Sequence, residues 1–257
     1  MKKAIVPILA LITGLFLTGA YAEASSSVVS LMSYNIRNCR GLDNKTEPSR
    51  IAETIKKANP DVIAIQELDC KTQRNGQRDF LQELAEQTGL HPTYAKAIDY
   101  QGGAYGIGVL SKEQPQGVRR IPLPGREEKR VLLILEFKDF VQFATHLSLT
   151  PEDQSTSLQI IAREAATYDK PVIFSGDLNL HPGSPKEKNP PRHFTILNST
   201  EAPSFPANAP KELIDYICCF THKDVTCKVE STEVITEPVA SDHRPVLVKA
   251  TLSHTQP

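Results

Sequence analysis

The sequence predicts an α/β protein built from two mixed β-sheets packed face to face, with helices on the outside. Three observations carry this. Apolar runs and helical repeats alternate in the first half: Val28 to Tyr34, then Pro48 to Ala58, then Asp61 to Gln66, the rhythm of strands joined by helices. Hairpins are mixed in further on, most clearly Val131 to Phe137 against Val141 to His146 across Asp139-Phe140, so the sheets are not purely parallel. Removing a leader of 22 residues from 257 leaves 235, which suits one large domain.

The leader is read from residues 1–22. Lys2 and Lys3 form a basic start, Ile5 to Leu17 an apolar stretch broken by Pro7, Thr13 and Gly14, and Ala20-Tyr21-Ala22 a small-x-small cleavage site. The stretch is short for a membrane span and has no stop-transfer flank. A cleaved signal peptide is expected, with a secreted or periplasmic domain over 23–257.

The elements follow in order. Val28 to Tyr34 is an opening strand that ends at Asn35. Ile51, Ala52, Ile55 and Ala58 repeat at helical spacing, and Asn59-Pro60 stops that helix. Asp61 to Gln66 is a short buried strand ending at Glu67, and Phe80 to Glu86 is a second helix stopped by Gly89. Ile107 to Leu110 is a strand, and Thr150-Pro151-Glu152-Asp153 opens a helix that runs to Tyr168. Val172 to Phe174 feeds Gly176-Asp177, and Leu213 to Phe220 and Val246 to Leu252 are the last strands. His181 to Pro210 is rich in Pro and poor in periodicity, which predicts a long surface loop with one short helix near Phe194 to Leu197.

Losing Lys2 and Lys3 with the leader leaves 27 basic and 30 acidic side chains, a net charge of −3. That is not the footprint of a protein held on nucleic acid by bulk charge, although a metal site can supply positive charge locally. The five Cys (Cys39, Cys70, Cys218, Cys219, Cys227) match no zinc spacing, and their odd number leaves at least one unpaired or shared between chains.

Chemistry-bearing residues stand where apolar runs end. Glu67 offers a carboxylate to a hard cation, although a lone Gln-Glu is more often a solvated strand end. Asp177 and Asn179 lie two apart, so in extended chain they face one side, a charged group beside a neutral donor; the bland alternative is an Asx turn. His243, beside Asp242, has a natural partner in Asp215, because a carboxylate on one ring nitrogen fixes the tautomer and raises the basicity of the other. His146 ends Val141 to Thr145, where an imidazole can donate to developing negative charge. Carboxylates, amides and histidines gathered at strand ends suit a hydrolase that holds a divalent cation and activates water on a phosphate ester.

In this order, Met32-Ser33-Tyr34-Asn35-Ile36-Arg37, Gln66-Glu67, Tyr105-Gly106-Ile107-Gly108-Val109-Leu110-Ser111, Thr145-His146-Leu147, Gly176-Asp177-Leu178-Asn179, Ile214-Asp215-Tyr216-Ile217 and Ser241-Asp242-His243 resemble the motifs of the endonuclease/exonuclease/phosphatase superfamily, the DNase I-like fold. The resemblance runs from Met32 to Val248. It implies a four-layer α/β/β/α sandwich and phosphoester hydrolysis dependent on Mg²⁺ or Mn²⁺. It further implies Glu67 as the principal metal ligand, assisted by Asn35, with Asp242 as a second. Asp177 would position the attacking water, Asn179 hold the phosphate, His243 paired with Asp215 contact the phosphate or act as acid/base, and His146 stabilise the transition state or aid the leaving group. Arg37 and Arg130 are candidate phosphate contacts. A disulfide between Cys39 and Cys70, which follow Asn35 and Glu67 on strands that relatives place in one sheet, stands beside the alternative of two free thiols.

Two departures bear on substrate. The DNA-repair branch has a Tyr-centred motif where this chain has Thr145-His146-Leu147, and the chain has no Trp. The expectation is an exported phosphoesterase that cleaves phosphodiester bonds, with phosphomonoesters as the alternative, monomeric and without an obligate protein partner. Its substrate would be a nucleic acid, a phospholipid headgroup in the manner of a sphingomyelinase, or a small phosphate ester. A catalytically inactive binding module on the same fold is the contrasting reading, but such a module would be expected to lose several site residues.

Overall fold

A computed structural model describes residues 24–181, 193–220 and 224–255. The leader and part of the Pro-rich segment fall outside these residues. The first half comprises β1 (Ala24–Asn35), α1 (Pro48–Ala58), β2 (Val62–Cys70), α2 (Phe80–Thr88), β3 (His91–Tyr100) and β4 (Gly103–Ser111). Then come β5 (Gly117–Leu123), β6 (Arg130–Glu136), β7 (Val141–His146), α3 (Pro151–Ala165) and β8 (Val172–Asp177). The chain closes with β9 (Phe194–Ile196), β10 (Asp215–Phe220), β11 (Val225–Val234) and β12 (Val246–Thr255). They form two six-stranded sheets, ordered β11-β12-β1-β2-β4-β3 and β5-β6-β7-β8-β10-β9.

Side-chain alternation explains the layers. In β1, Val29 and Leu31 face the other sheet and meet Leu133, Ile173 and Ile217, while Met32 and Tyr34 face outward beneath helices. Ile51 and Ile55 of α1 and Phe80 and Leu84 of α2 cover that outer face. Ile161 and Ala165 of α3 cover the outer face of the second sheet over Phe143 and Phe174. The result is the α/β/β/α sandwich. Because β7 and β8 are covered on both faces, every residue of each is buried, and their sequences read as continuous rather than alternating runs.

Topology places the polar strand ends together. The central pairs β1–β2 and β7–β8 are parallel, with Asn35 opposite Gln66 and His146 opposite Asp177. β10 runs antiparallel to β8 and begins with Asp215 opposite Asp177. Parallel neighbours end at one rim, so the side chains that follow their apolar stretches gather there. A bulge in β2 between Ile65 and Leu68 holds Glu67 at φ 56°, a left-handed conformation that a non-glycine residue adopts only when its surroundings impose it.

Two expectations are corrected. Cys39 and Cys70 are not bonded: Cys39 is buried in the core under α1 and α2, and the Cys70 thiol donates to Asp79. The disulfide joins Cys219 of β10 to Cys227 of β11, one from each sheet, and Cys218 is a free buried thiol. The expected helix at Phe194 to Leu197 is instead the edge strand β9, paired with β10. Three residues of strand are too few to show a period, so sequence pattern could not separate the two.

The Cys219–Cys227 link staples the sheets at one edge. Replacing both cysteines with Ser should lower unfolding free energy by about 2 kcal/mol, the loop-closure scale for a short loop. Denaturant titration checks this, and alkylation of the unfolded, non-reduced protein should label Cys39, Cys70 and Cys218 only.

Candidate active site

Asn35 ends β1, and its amide reaches both sheets. Its Nδ2 donates to Glu67 Oε1 at 3.0 Å and to Asp177 Oδ2 at 3.0 Å. Its Oδ1 accepts from the Arg37 backbone N–H at 3.1 Å, which fixes which way the amide points. The carbonyl keeps a second lone pair. Ser241 Oγ donates to the Asn35 backbone carbonyl at 2.7 Å and draws the Asp242-His243 turn onto the end of β1.

Three groups converge on one oxygen. Besides Asn35, His146 Nε2 lies 3.5 Å and His243 Nε2 3.7 Å from Asp177 Oδ2. The other oxygen, Oδ1, accepts the Asn179 backbone N–H at 3.0 Å. Asn179 turns at φ 50°, and its Nδ2 donates to the Leu147 carbonyl at 3.0 Å. His243 Nδ1 is 2.9 Å from Asp215 Oδ2. Thus Asn35, Glu67, His146, Asp177, Asn179, Asp215 and His243 share one rim. Asp242 joins them through Arg37, whose Nε is 3.4 Å from Asp242 Oδ2. Arg130 is buried beside His146, its guanidinium bonded to Glu128 at 2.8 Å and 3.5 Å from Glu127.

The environment separates the two histidines. Burial would lower the His243 pKa, but the charge and hydrogen bond of Asp215, with Asp177 and Asp242 nearby, lift it to about 10. Burial holds His146 well below the usual imidazole range, and the Arg130 and His243 charges push the same way. One imidazole is therefore cationic and the other neutral at pH 7. Burial, then Asp215, raises Asp177 to about 7 against the pull of His243, Asn35 and Asn179. Glu67 is raised by burial and by Asp242, partly offset by the Asn35 hydrogen bond.

Glu67 and Asp177, carboxylates that burial holds above their ordinary range, would ionise more readily beside a hard divalent cation. The oxygens of Glu67, Asn35 and Asp242 are the suitable donors. Asp177, Asp215 and His243 also offer atoms within 4.8 Å of one another. However, Asp215 Oδ2 is already occupied by His243 and by Ser204 Oγ at 2.5 Å, so that trio reads as a hydrogen-bonded relay.

Several residues of the site were not foreseen. Ser204 donates to the oxygen that holds His243, and the Phe205 ring lies 4.8 Å from the imidazole. Asn198 accepts from the Ile217 N–H at 2.8 Å and lies beside the Asp215 carbonyl. Ala207 N–H donates to the Asp242 carbonyl, and Arg244 N–H to the Ser204 carbonyl. The stretch 198–212 clamps the Asp242-His243 turn, although nothing in its Pro-rich sequence marks Ser204.

The sequence pattern of the Endonuclease/Exonuclease/phosphatase family matches residues 32–243. The chain belongs to this family. Exodeoxyribonuclease III of Haemophilus influenzae is 24% identical over 170 residues, 60% of this chain and 58% of that protein, so the chain spans somewhat over half of that relative's length. The solved endonuclease/exonuclease/phosphatase of Beutenbergia cavernae matches with TM-score 0.70 at 22% identity, over 88% of this chain and 72% of that one. Mannosyl-6-phosphatase of Bacteroides thetaiotaomicron matches with TM-score 0.69 at 16% identity, over 86% of this chain and 99% of that one. These likenesses establish the DNase I-like fold.

Two predictions follow from family membership and this geometry. Ser204→Ala should lower kcat by about tenfold, the scale of one hydrogen bond to a charged group, with Tm nearly unchanged; steady-state kinetics and a melt check both. Glu127 tests the loop after β7. Burial would raise its carboxyl, but the Ser148 hydroxyl, backbone N–H groups including that of Leu149, and the Thr150 hydroxyl hold it down to about 2. A depressed folded pKa contributes stability above the unfolded value near 4.5 that is lost as pH falls towards 2. Glu127→Gln should therefore destabilise the protein at pH 7 and show a shallower acid-side loss between those values in melts against pH.

Proposed function

We propose that this chain is an exported, Mg²⁺- or Mn²⁺-dependent phosphoesterase that cleaves phosphodiester bonds by attack of an activated water. The observation that carries the reading is the convergence of Asn35, His146 and His243 on Asp177 Oδ2 beside Glu67. A divalent cation bound by Glu67, Asn35 and Asp242 would polarise a phosphate oxygen and offset its charge. Asp177 orients the attacking water and takes its proton. Asn179 keeps one amide N–H for a phosphate oxygen. His243, held by Asp215, presents a cationic Nε2–H to the same phosphate. Neutral His146 donates a hydrogen bond to charge building in the transition state or on the leaving oxygen. Arg37 stands at the rim for a phosphate contact. Arg130, shared with Glu127 and Glu128, acts on substrate through its field more than by an exposed surface.

The inactive-module reading fits poorly, because each expected site residue is present and they share one rim. Export is supported by the signal-like 1–22 segment and by a disulfide, which persists in oxidising compartments. The low net charge and lack of Trp favour local recognition of one phosphate over a long polyanion.

The test is hydrolysis of bis-p-nitrophenyl phosphate, p-nitrophenyl phosphate, plasmid DNA and sphingomyelin by the mature protein, with and without chelator. Turnover of the diester that EDTA abolishes and Mg²⁺ restores is expected, and so is a loss of about 10²-fold or more in His243→Ala and Asp177→Ala without loss of fold. Full activity after exhaustive chelation, or near-normal folded variants, would contradict it. DNA or sphingomyelin as the preferred member would assign the nuclease or the lipid branch. With DNA, KM should depend only shallowly on salt.

A further inference from the structure

We infer that Gln154 is a positioning residue: its side-chain amide holds the backbone of Asn179 and so aims the Asn179 amide at the phosphate. The inference rests on the phosphoesterase reading. It adds a residue of α3 that belongs to none of the motifs assigned to the site.

Topology puts Gln154 in place. β7 and β8 are parallel neighbours whose ends share one rim, and α3 is the crossover between them. A crossover helix starts beside the end of the strand it leaves. Gln154 is the fourth residue of α3, and its N–H donates to the Thr150 carbonyl at 2.9 Å. It therefore stands between the loop after His146 and the loop after Asp177.

Its contacts are specific. Gln154 is 8% exposed. Its Nε2 donates to the Ser148 carbonyl at 2.8 Å and to the Asn179 carbonyl at 3.0 Å. Two carbonyl acceptors take both amide hydrogens, so a donor must occupy this point. The two loops differ in what else holds them. The Ser148 hydroxyl donates to Glu127 Oε2 at 2.9 Å, and the next N–H, that of Leu149, to Glu127 Oε1 at 2.8 Å. The Asn179 carbonyl, among the described residues, has Gln154 as its donor. Loss of Gln154 therefore falls first on Asn179.

Backbone strain makes that anchor matter. Asn179 is held at φ 50°, a left-handed conformation that persists only where its surroundings impose it. Asp177 Oδ1 takes its N–H and the Leu147 carbonyl takes one hydrogen of its side-chain amide, each at 3.0 Å. Gln154 takes the third fixed point, the carbonyl. With all three held, the remaining amide hydrogen has one direction. Without Gln154 the carbonyl must find another donor, and the residue can leave its left-handed conformation and carry the side chain with it.

The experiment is a double-mutant cycle between Gln154→Met and Asn179→Ala, read on bis-p-nitrophenyl phosphate with Mg²⁺ and with melting temperature followed in parallel. Gln154→Met keeps length and volume and removes the donor. It should lower kcat/KM by about tenfold or more, the scale on which a small misplacement acts. In the Asn179→Ala background the same replacement should change kcat/KM by less than about twofold, because residues that act through one another are not additive. Gln154→Glu should lose at least as much, since it sets a carboxylate against two carbonyls. NMR of the wild type needs no variant: the Gln154 side-chain amide hydrogens should exchange slowly with solvent. That measurement decides the case if the replacements do not fold. Near-normal kcat/KM in folded Gln154→Met, an equal loss with and without Asn179, or fast exchange in the wild type would overturn the role. Wild-type turnover separates the failures. Turnover with Gln154→Met unaffected defeats the positioning role alone, whereas no wild-type turnover defeats the phosphoesterase reading and this inference with it.

Discussion

One side-chain amide ties the two sheets together at the functional rim. Asn35 Nδ2 is shared between Glu67 of the first sheet and Asp177 of the second, each at 3.0 Å. Both acceptors are acids that burial makes reluctant to ionise, so a neutral donor between them holds geometry without supplying a charge. That leaves charge balance to the other groups: the cationic His243, Arg130 nearby and, on the proposed reading, a divalent cation. The strained φ at Glu67 and Asn179 belongs to the same arrangement, since both residues turn away from their strands to present polar groups at the rim. Local backbone cost of this kind persists only where the surrounding fold determines it.

The second constraint is electrostatic asymmetry. His146 and His243 both face Asp177 Oδ2, yet only His243 has a carboxylate on its far nitrogen, while Arg130 lies by His146. Groups whose surroundings push their pKa values apart can take different parts in one reaction. Ser204, Asn198 and Ala207 steady the Asp215–His243 side of this division from a stretch without regular structure. The rim is thus supported by strand ends on one side and by an irregular clamp on the other.

Much of the site was legible because of where apolar runs stop. Asn35, Glu67, His146 and Asp177 each follow a stretch that must be buried, and parallel pairing of those stretches brings their ends to one rim. Asp215 and His243 were paired by chemistry alone, and the contact is present at 2.9 Å. The edge strands were harder. β11 is mostly exposed along its length, and only Val225, Cys227 and Val234 are partly buried against the core, too weak a face for a pattern to report. β9 is three residues long. The disulfide depended on β11 lying over β10, a tertiary fact with no local signal, and Ser204 depended on the same kind of long-range placement.

The central claim is that this rim is built around a divalent cation held by Glu67. Isothermal titration of metal-free protein with Mn²⁺ tests it without substrate. Saturable binding is predicted for the wild type, weakened at least about tenfold in Glu67→Gln, the scale on which metal sites respond to a lost interaction, with the circular dichroism spectrum unchanged. Absence of binding in the wild type, or equal affinity in a folded Glu67→Gln, would contradict the account.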